Sequence, residues 1–162
     1  MELFLIRHAI ALPAGPSLPD AARPLSPEGR ERFTQVVRGL QHLGIQIARV
    51  HHSPWLRAVE TAELLQPVLD GESLLSPALA GPPEKALLNE ITSVPTALVG
   101  HEPWMGELLA WLTTGSRTAR TAFDFKRGGV AWLEGRPQPG RMTLRAFLPP
   151  KVLRALAQVA AP

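Results

Sequence analysis

The chain has 162 residues, of which 45% are hydrophobic and 19% charged, with a formal net charge of +3 and no cysteine. This is enough chain for one globular domain with a real core, and the lack of cysteine excludes disulfides, thiolate metal sites and cysteine nucleophiles. No apolar run approaches the roughly 18 residues of a membrane span, and no Lys/Arg-rich run suggests nucleic-acid binding.

Residues 2–6 form a short apolar run ended by Arg7-His8 and read as a buried strand. Glu2 stands where a signal peptide would carry a base, and the run is too short for an h-region, so a cytoplasmic location is expected. Residues 9–25, rich in Pro, Ala and Gly, read as a loop. Ser26-Pro27-Glu28 opens a helix with Ser as N-cap and Pro in its first turn. Phe33, Val36, Val37, Leu40 and Leu43 follow at spacings of three and four, and Gly44 closes it.

Ile47 to His52 reads as a second strand, and Pro54 to about Leu65 as a helix. Residues 66–83, with four prolines and two glycines, read as a loop. A short helix over Glu84–Glu90, a strand from Val94 to Val99 and a helix from Pro103 through Leu112 come next. Two further strands, Gly129–Leu133 and Met142–Phe147, flank a Pro/Gly-rich turn over 135–140, and a terminal helix begins at Pro149-Pro150 and ends near Val159. Alternating strands and helices imply a single three-layer α/β/α domain over 1–162, with a mainly parallel central sheet and helices on both faces.

In such sheets ligands bind beyond the carboxyl ends of the strands. His8 follows the first strand and His101 the strand at Val94–Val99. Arg7 adjoins His8, and Arg57 lies in the first turn after the second strand. An imidazole is a competent nucleophile near neutral pH, and nearby cations disfavour its protonation. Guanidinium groups match phosphate oxygens with forked donors. Helix N-termini near Pro54 and Pro103 would aim backbone donors at the same anion. These groups describe a phosphoryl-transfer pocket with no cofactor and no metal.

Leu5-Ile6-Arg7-His8-Ala9 resembles the Arg-His-Gly/Ala signature of the histidine phosphatase superfamily. Ser53-Pro54-Trp55-Leu56-Arg57-Ala58-Val59-Glu60-Thr61 resembles its Ser-Pro-x-x-Arg-Ala-x-x-Thr segment, and Gly100-His101-Glu102-Pro103 its second-histidine motif. Asp20 and Arg23-Pro24-Leu25-Ser26-Pro27-Glu28-Gly29 resemble a stretch of the short SixA-type phosphohistidine phosphatases, as does Phe125-Lys126-Arg127-Gly128-Gly129-Val130-Ala131. The resemblance implies His8 as the phosphorylated nucleophile, Arg7 and Arg57 as phosphate ligands, and His101 completing the pocket. It also brings Asp20, Arg23, Ser53 and Lys126 near it. Asp20 and Arg23 read equally well as a loop ion pair, and Lys126 as a solvated lysine.

Larger members of the superfamily carry an acidic proton donor in an insertion after the second strand. Here that region is short, and Glu72, Glu84 and Glu90 match no such motif. A missing acid fits an N-phosphate, whose imidazole leaving group needs less protonation than an alkoxide. Glu102 reads as an N-cap of the helix at Pro103 rather than as an acid. Trp55, Trp104 and Trp111 read as core or pocket wall.

His51-His52 could suggest a metal site with His8 and His101. However, neighbouring strand residues point to opposite faces, so one of the pair is expected on the pocket floor and the other in packing. The expected partner is phosphohistidine on a protein such as a phosphotransfer domain, or a small phosphorylated molecule, with phosphate ion as product. A small-ester phosphatase and a non-catalytic phosphate-binding module are the alternatives. A mutase would need a lid for which the chain has little material.

Overall fold

A computed structural model describes residues 1–159; the last three residues of the span 1–162 lie outside the described residues. Six strands form one mixed sheet in the order β3-β2-β4-β1-β5-β6. They are β1 (Glu2–Arg7), β2 (Ile47–His52), β3 (Leu69–Leu75), β4 (Thr96–Gly100), β5 (Val130–Gly135) and β6 (Met142–Leu148). The first four run parallel, while β5 pairs antiparallel with both β1 and β6. The helices are α1 (Pro27–His42), α2 (Leu56–Glu63), α3 (Lys85–Glu90), α4 (Trp104–Thr114) and α5 (Pro150–Leu156).

The two-residue period of a strand divides the core into two layers. Phe4 and Ile6 of β1 face α1, α2 and α5 through Phe33, Val37, Ala58 and Leu153. Leu3 and Leu5 face the other way, toward Leu87 of α3 and Met105, Leu108 and Leu112 of α4. All four of these β1 residues are at most 1% exposed, and each such burial is worth about 1.5–3 kcal/mol. A continuous apolar run, rather than alternation, is what a strand covered on both faces requires.

Ser26 caps α1 through its Oγ, which accepts from Gly29 N at 2.9 Å. At the other end Gly44, at φ 68°, closes the helix as its N–H donates to Gln41 O. Gly39 lets α5 lie against α1, because a Cβ there would stand 2.2 Å from Leu153 O. Gly39→Ala is therefore expected to destabilise the fold by about 1–3 kcal/mol, outweighing the helix propensity gained by losing glycine. Urea unfolding would check this, with Gly15→Ala as control because nothing lies within 4 Å of a Cβ there. An unchanged midpoint for Gly39→Ala would contradict the packing argument.

Two expectations need correction. The segment 66–83 is not all loop: it contains β3, which pairs in parallel with β2 at the sheet edge. Its Asp70-Gly71-Glu72-Ser73 centre is exposed, so no buried face imprints a hydrophobic pattern and only backbone pairing makes it a strand. The terminal helix stops at Leu156 rather than near Val159. Among the described residues no helix is long and apolar enough to cross a membrane.

Candidate active site

The parallel strands β1, β2 and β4 end side by side, and the residues just beyond them build one pocket of about 280 Å³. Arg7, His8, Arg57 and His101 all line it, with Asp20 and Arg23 from the 9–25 loop. The backbone continues the sheet ladder into the site, as His8 N donates to Gly100 O at 3.0 Å.

His8 is 6% exposed, and its surroundings define its tautomer. Nδ1 lies 2.6 Å from the Ala9 carbonyl, which can only accept, so Nδ1 carries the proton. Nε2 is thus unprotonated, and its lone pair accepts from Arg57 Nε at 3.2 Å. Burial, with help from His101, Arg57 and Arg7 and against the hydrogen bond to Ala9, lowers the His8 pKa from 6.5 to about 3. The ring is therefore neutral at physiological pH.

Arg57 is held by several partners. Nη1 donates to Asp20 O at 2.6 Å and Nη2 to Asp20 Oδ2 at 3.1 Å. Its guanidinium carbon also sits 4.6 Å from the centre of the Trp55 ring. Asp20 binds Arg23 as well, at 2.8 Å. Burial works to raise its pKa, but the hydrogen bonds and charges of Arg57 and Arg23 together outweigh burial, so its pKa falls. The ion-pair reading of Asp20 and Arg23 and their place at the pocket thus hold together: the pair braces Arg57 from the loop.

His101 takes a hydrogen bond with Ser53 Oγ through Nε2 at 2.8 Å, while its Nδ1 is buried without a partner. Burial, then Arg57, lowers its pKa to about 3. The two imidazoles lie 5.1 Å apart, centre to centre. Trp55 and Trp104 pack on His101 at 4.5 and 6.3 Å and wall the pocket. Trp111 is buried instead in the layer under α4, stacked beneath Arg117.

The 53–61 segment acts as a jig. Ser53 orients His101, Arg57 reaches His8, and one helical turn later Thr61 Oγ1 accepts from Ala9 N at 3.0 Å while donating to Arg57 O. Glu60 takes Leu25 N and pairs with Arg30, tying α2 to the start of α1. Arg7 Nη1 donates to Phe125 O at 2.6 Å, and its Nε has no partner.

Lys126 takes its solvated reading, and two expected placements fail. Lys126 lies outside this pocket, exposed and paired with Asp124 at 2.7 Å. Neither His51 nor His52 reaches the floor: His51 faces Glu90 at 3.6 Å and His52 contacts its neighbour's carbonyl. Glu102 does not cap α4, whose preceding residue is Pro103 and which has no side-chain cap. Its carboxylate instead lines the pocket over Gly106, with Oε1 buried and unpartnered. Burial raises the Glu102 pKa against the pull of Arg7. Glu72, Glu84 and Glu90 are not among the lining residues. Glu102 and Arg127 are thus pocket residues that the sequence reading missed, although Glu102 directly follows the second histidine. Among the described residues no three His, Asp or Glu side chains are grouped to hold a metal ion.

Residues 3–80 match the model of the histidine phosphatase superfamily (branch 1). An uncharacterised protein of Picosynechococcus sp. is 36% identical over 141 residues, covering 82% of this chain and 84% of that protein. The structure of the protein histidine phosphatase SixA complexed with tungstate is similar, with TM-score 0.77 and 28% identity over 94% of this chain and 99% of that one. A phosphoserine phosphatase from Entamoeba histolytica, in complex with 3-phosphoglyceric acid, shares the fold at TM-score 0.71 and 18% identity, covering 94% and 98%. With the motif residues gathered around one anion-sized pocket at the strand ends, this chain belongs to the histidine phosphatase superfamily.

Proposed function

We propose that the chain is a phosphatase acting through a phosphoryl-His8 intermediate, with phosphohistidine on a protein as its preferred substrate. The observation that carries the chemistry is the unprotonated Nε2 of His8, its partner nitrogen tied to Ala9 O and its lone pair accepting from Arg57 Nε. In the first step Nε2 forms a bond to phosphorus as the P–N or P–O bond to the leaving group breaks. Arg7, Arg57 and His101 hold the equatorial oxygens, where charge spreads in the transition state. Asp20 and Trp55 hold the Arg57 guanidinium beside His8, so its Nε has only to pass from His8 Nε2 to a phosphoryl oxygen when the anion arrives. Water then attacks phosphorus, the Nε2–P bond breaks, and phosphate and neutral His8 return.

Glu102 is the proposed proton carrier: its carboxyl protonates the departing group, and its carboxylate takes the proton from the attacking water. This revises the argument from a missing acid, which no longer favours an N-phosphate. The phosphohistidine preference is supported instead by the likeness to a SixA histidine phosphatase and by the segments between the core elements, which carry no inserted cap domain among the described residues. Competition kinetics should give a higher kcat/KM on a phosphohistidine protein than on alkyl phosphates. Sugar or glycerate phosphates turning over at least as efficiently would remove the substrate assignment and leave the His8 mechanism standing. Phosphate binding without turnover of either substrate would instead favour a binding module.

A further inference from the structure

Beside the phosphate pocket runs a larger groove of about 420 Å³, and Arg7 and Arg127 line both. Ile10, Phe33, Val36 and Pro150 give it an apolar floor. Its other cations come from separate elements: Arg32 from α1, Lys126 and Arg127 from the turn before β5, and Arg154 from α5. That turn is tied to the nucleophile's own backbone, as Gly128 N donates to both Arg7 O and His8 O at 3.0 and 3.1 Å.

Among the described residues no acidic side chain lines the groove. Glu28 and Asp124 offset Arg32 and Lys126 from outside it, at 2.6 and 2.7 Å. Among the described residues Arg127 and Arg154 have no ion-pair partner. Arg154 Nε is buried without a hydrogen bond. An apolar floor bordered by the unpaired guanidiniums of Arg127 and Arg154 leaves hydrophobic surface and positive charge that the protein itself does not satisfy.

We propose that this groove binds the polypeptide flanking the phosphorylated side chain, an acidic segment that also seats an apolar residue on the floor. The proposal rests on the phosphatase reading of the adjacent pocket. A single phosphate or carboxylate is best held by donors converging on one point. Here the cations are spread around an apolar surface, the complement of a chain carrying several carboxylates and an apolar side chain.

The test uses two short peptides carrying the non-hydrolysable phosphohistidine analogue phosphoryl-triazolylalanine, one flanked by Glu and Leu and the other by Gln and Leu. Their inhibition of p-nitrophenyl phosphate hydrolysis is measured for the wild type and for the double variant Arg32→Ala/Arg154→Ala. The acidic peptide should bind the wild type about tenfold more tightly than the neutral one, and that preference should shrink as salt rises. It should largely vanish in the double variant, whose hydrolysis of p-nitrophenyl phosphate should be retained. Equal inhibition by the two peptides, or a preference that survives in the variant, overturns the inference. So does equally tight inhibition by the free phosphorylated amino-acid analogue, which would show that the flanking residues add nothing to binding. If the wild type did not hydrolyse p-nitrophenyl phosphate at all, it would be the phosphatase reading that fails.

Discussion

His8→Ala is expected to lower kcat by about ten-thousand-fold or more, the scale on which loss of a covalent nucleophile acts. The alanine leaves the Arg57 guanidinium and the Ala9 carbonyl in place but removes the lone pair that receives the phosphoryl group. Circular dichroism would establish that the variant is folded, and labelled substrate should mark the wild type but not the variant with an acid-labile, alkali-stable phosphate. Unchanged turnover in His8→Ala would end the mechanism. Activity should also survive chelation by EDTA, since no step calls on a metal ion.

The pH dependence follows from the same burial. An unperturbed histidine would be protonated and non-nucleophilic below about pH 6.5. With the His8 pKa near 3, kcat/KM should show no acid limb at 6.5 and should fall only several pH units lower. Stability runs the same way. The unfolded chain binds protons at His8 and His101 below about 6.5 while the folded one does not until about 3, so stability is lost as pH falls through that window. Asp20 works in the same direction, because its lowered pKa adds stability that disappears on acidification.

Glu102→Gln is expected to separate leaving groups. For an alkyl phosphate, whose alkoxide must be protonated, kcat/KM should drop by about a hundredfold or more. For p-nitrophenyl phosphate, whose leaving group departs without help, the first step should be nearly unaffected. The sign of the pH effect is fixed by the acid role. Protonated Glu102 is the active form, so wild-type activity on the alkyl ester should decline as pH rises through its elevated pKa, and that alkaline limb should be absent in the Gln variant. An equal loss on both substrates with an unchanged pH profile would reduce Glu102 to a structural role over Gly106.

Much of this protein is legible in its sequence because the relevant signals are local. β1 and β4 are buried on both faces, so Leu3 to Ile6 and Ala97 to Val99 must be continuous apolar runs. The α1 boundaries are written in Ser26, Pro27 and Gly44, whose backbone roles depend on neighbours a few residues away. Arg7, His8, Arg57 and His101 stand at or just past strand ends, and parallel topology brings strand ends together. Their gathering at one edge of the sheet follows from that placement.

Tertiary structure decided whatever depends on partners distant in the chain. β3 carries no apolar alternation and is a strand only because β2 offers it an edge. Lys126 and the His51-His52 pair sit close in sequence to site residues, yet the direction of each side chain sends them to Asp124, Glu90 and a backbone carbonyl instead. Glu102 looked like a helix cap because Pro103 read as the first residue of the helix. Only the packing of α4 against the pocket turns its carboxylate inward and buries it, which is also what raises its pKa. The neutral tautomer of His8 has the same origin: sequence supplies the imidazole, but desolvation and the Ala9 carbonyl, both products of the fold, leave its Nε2 unprotonated.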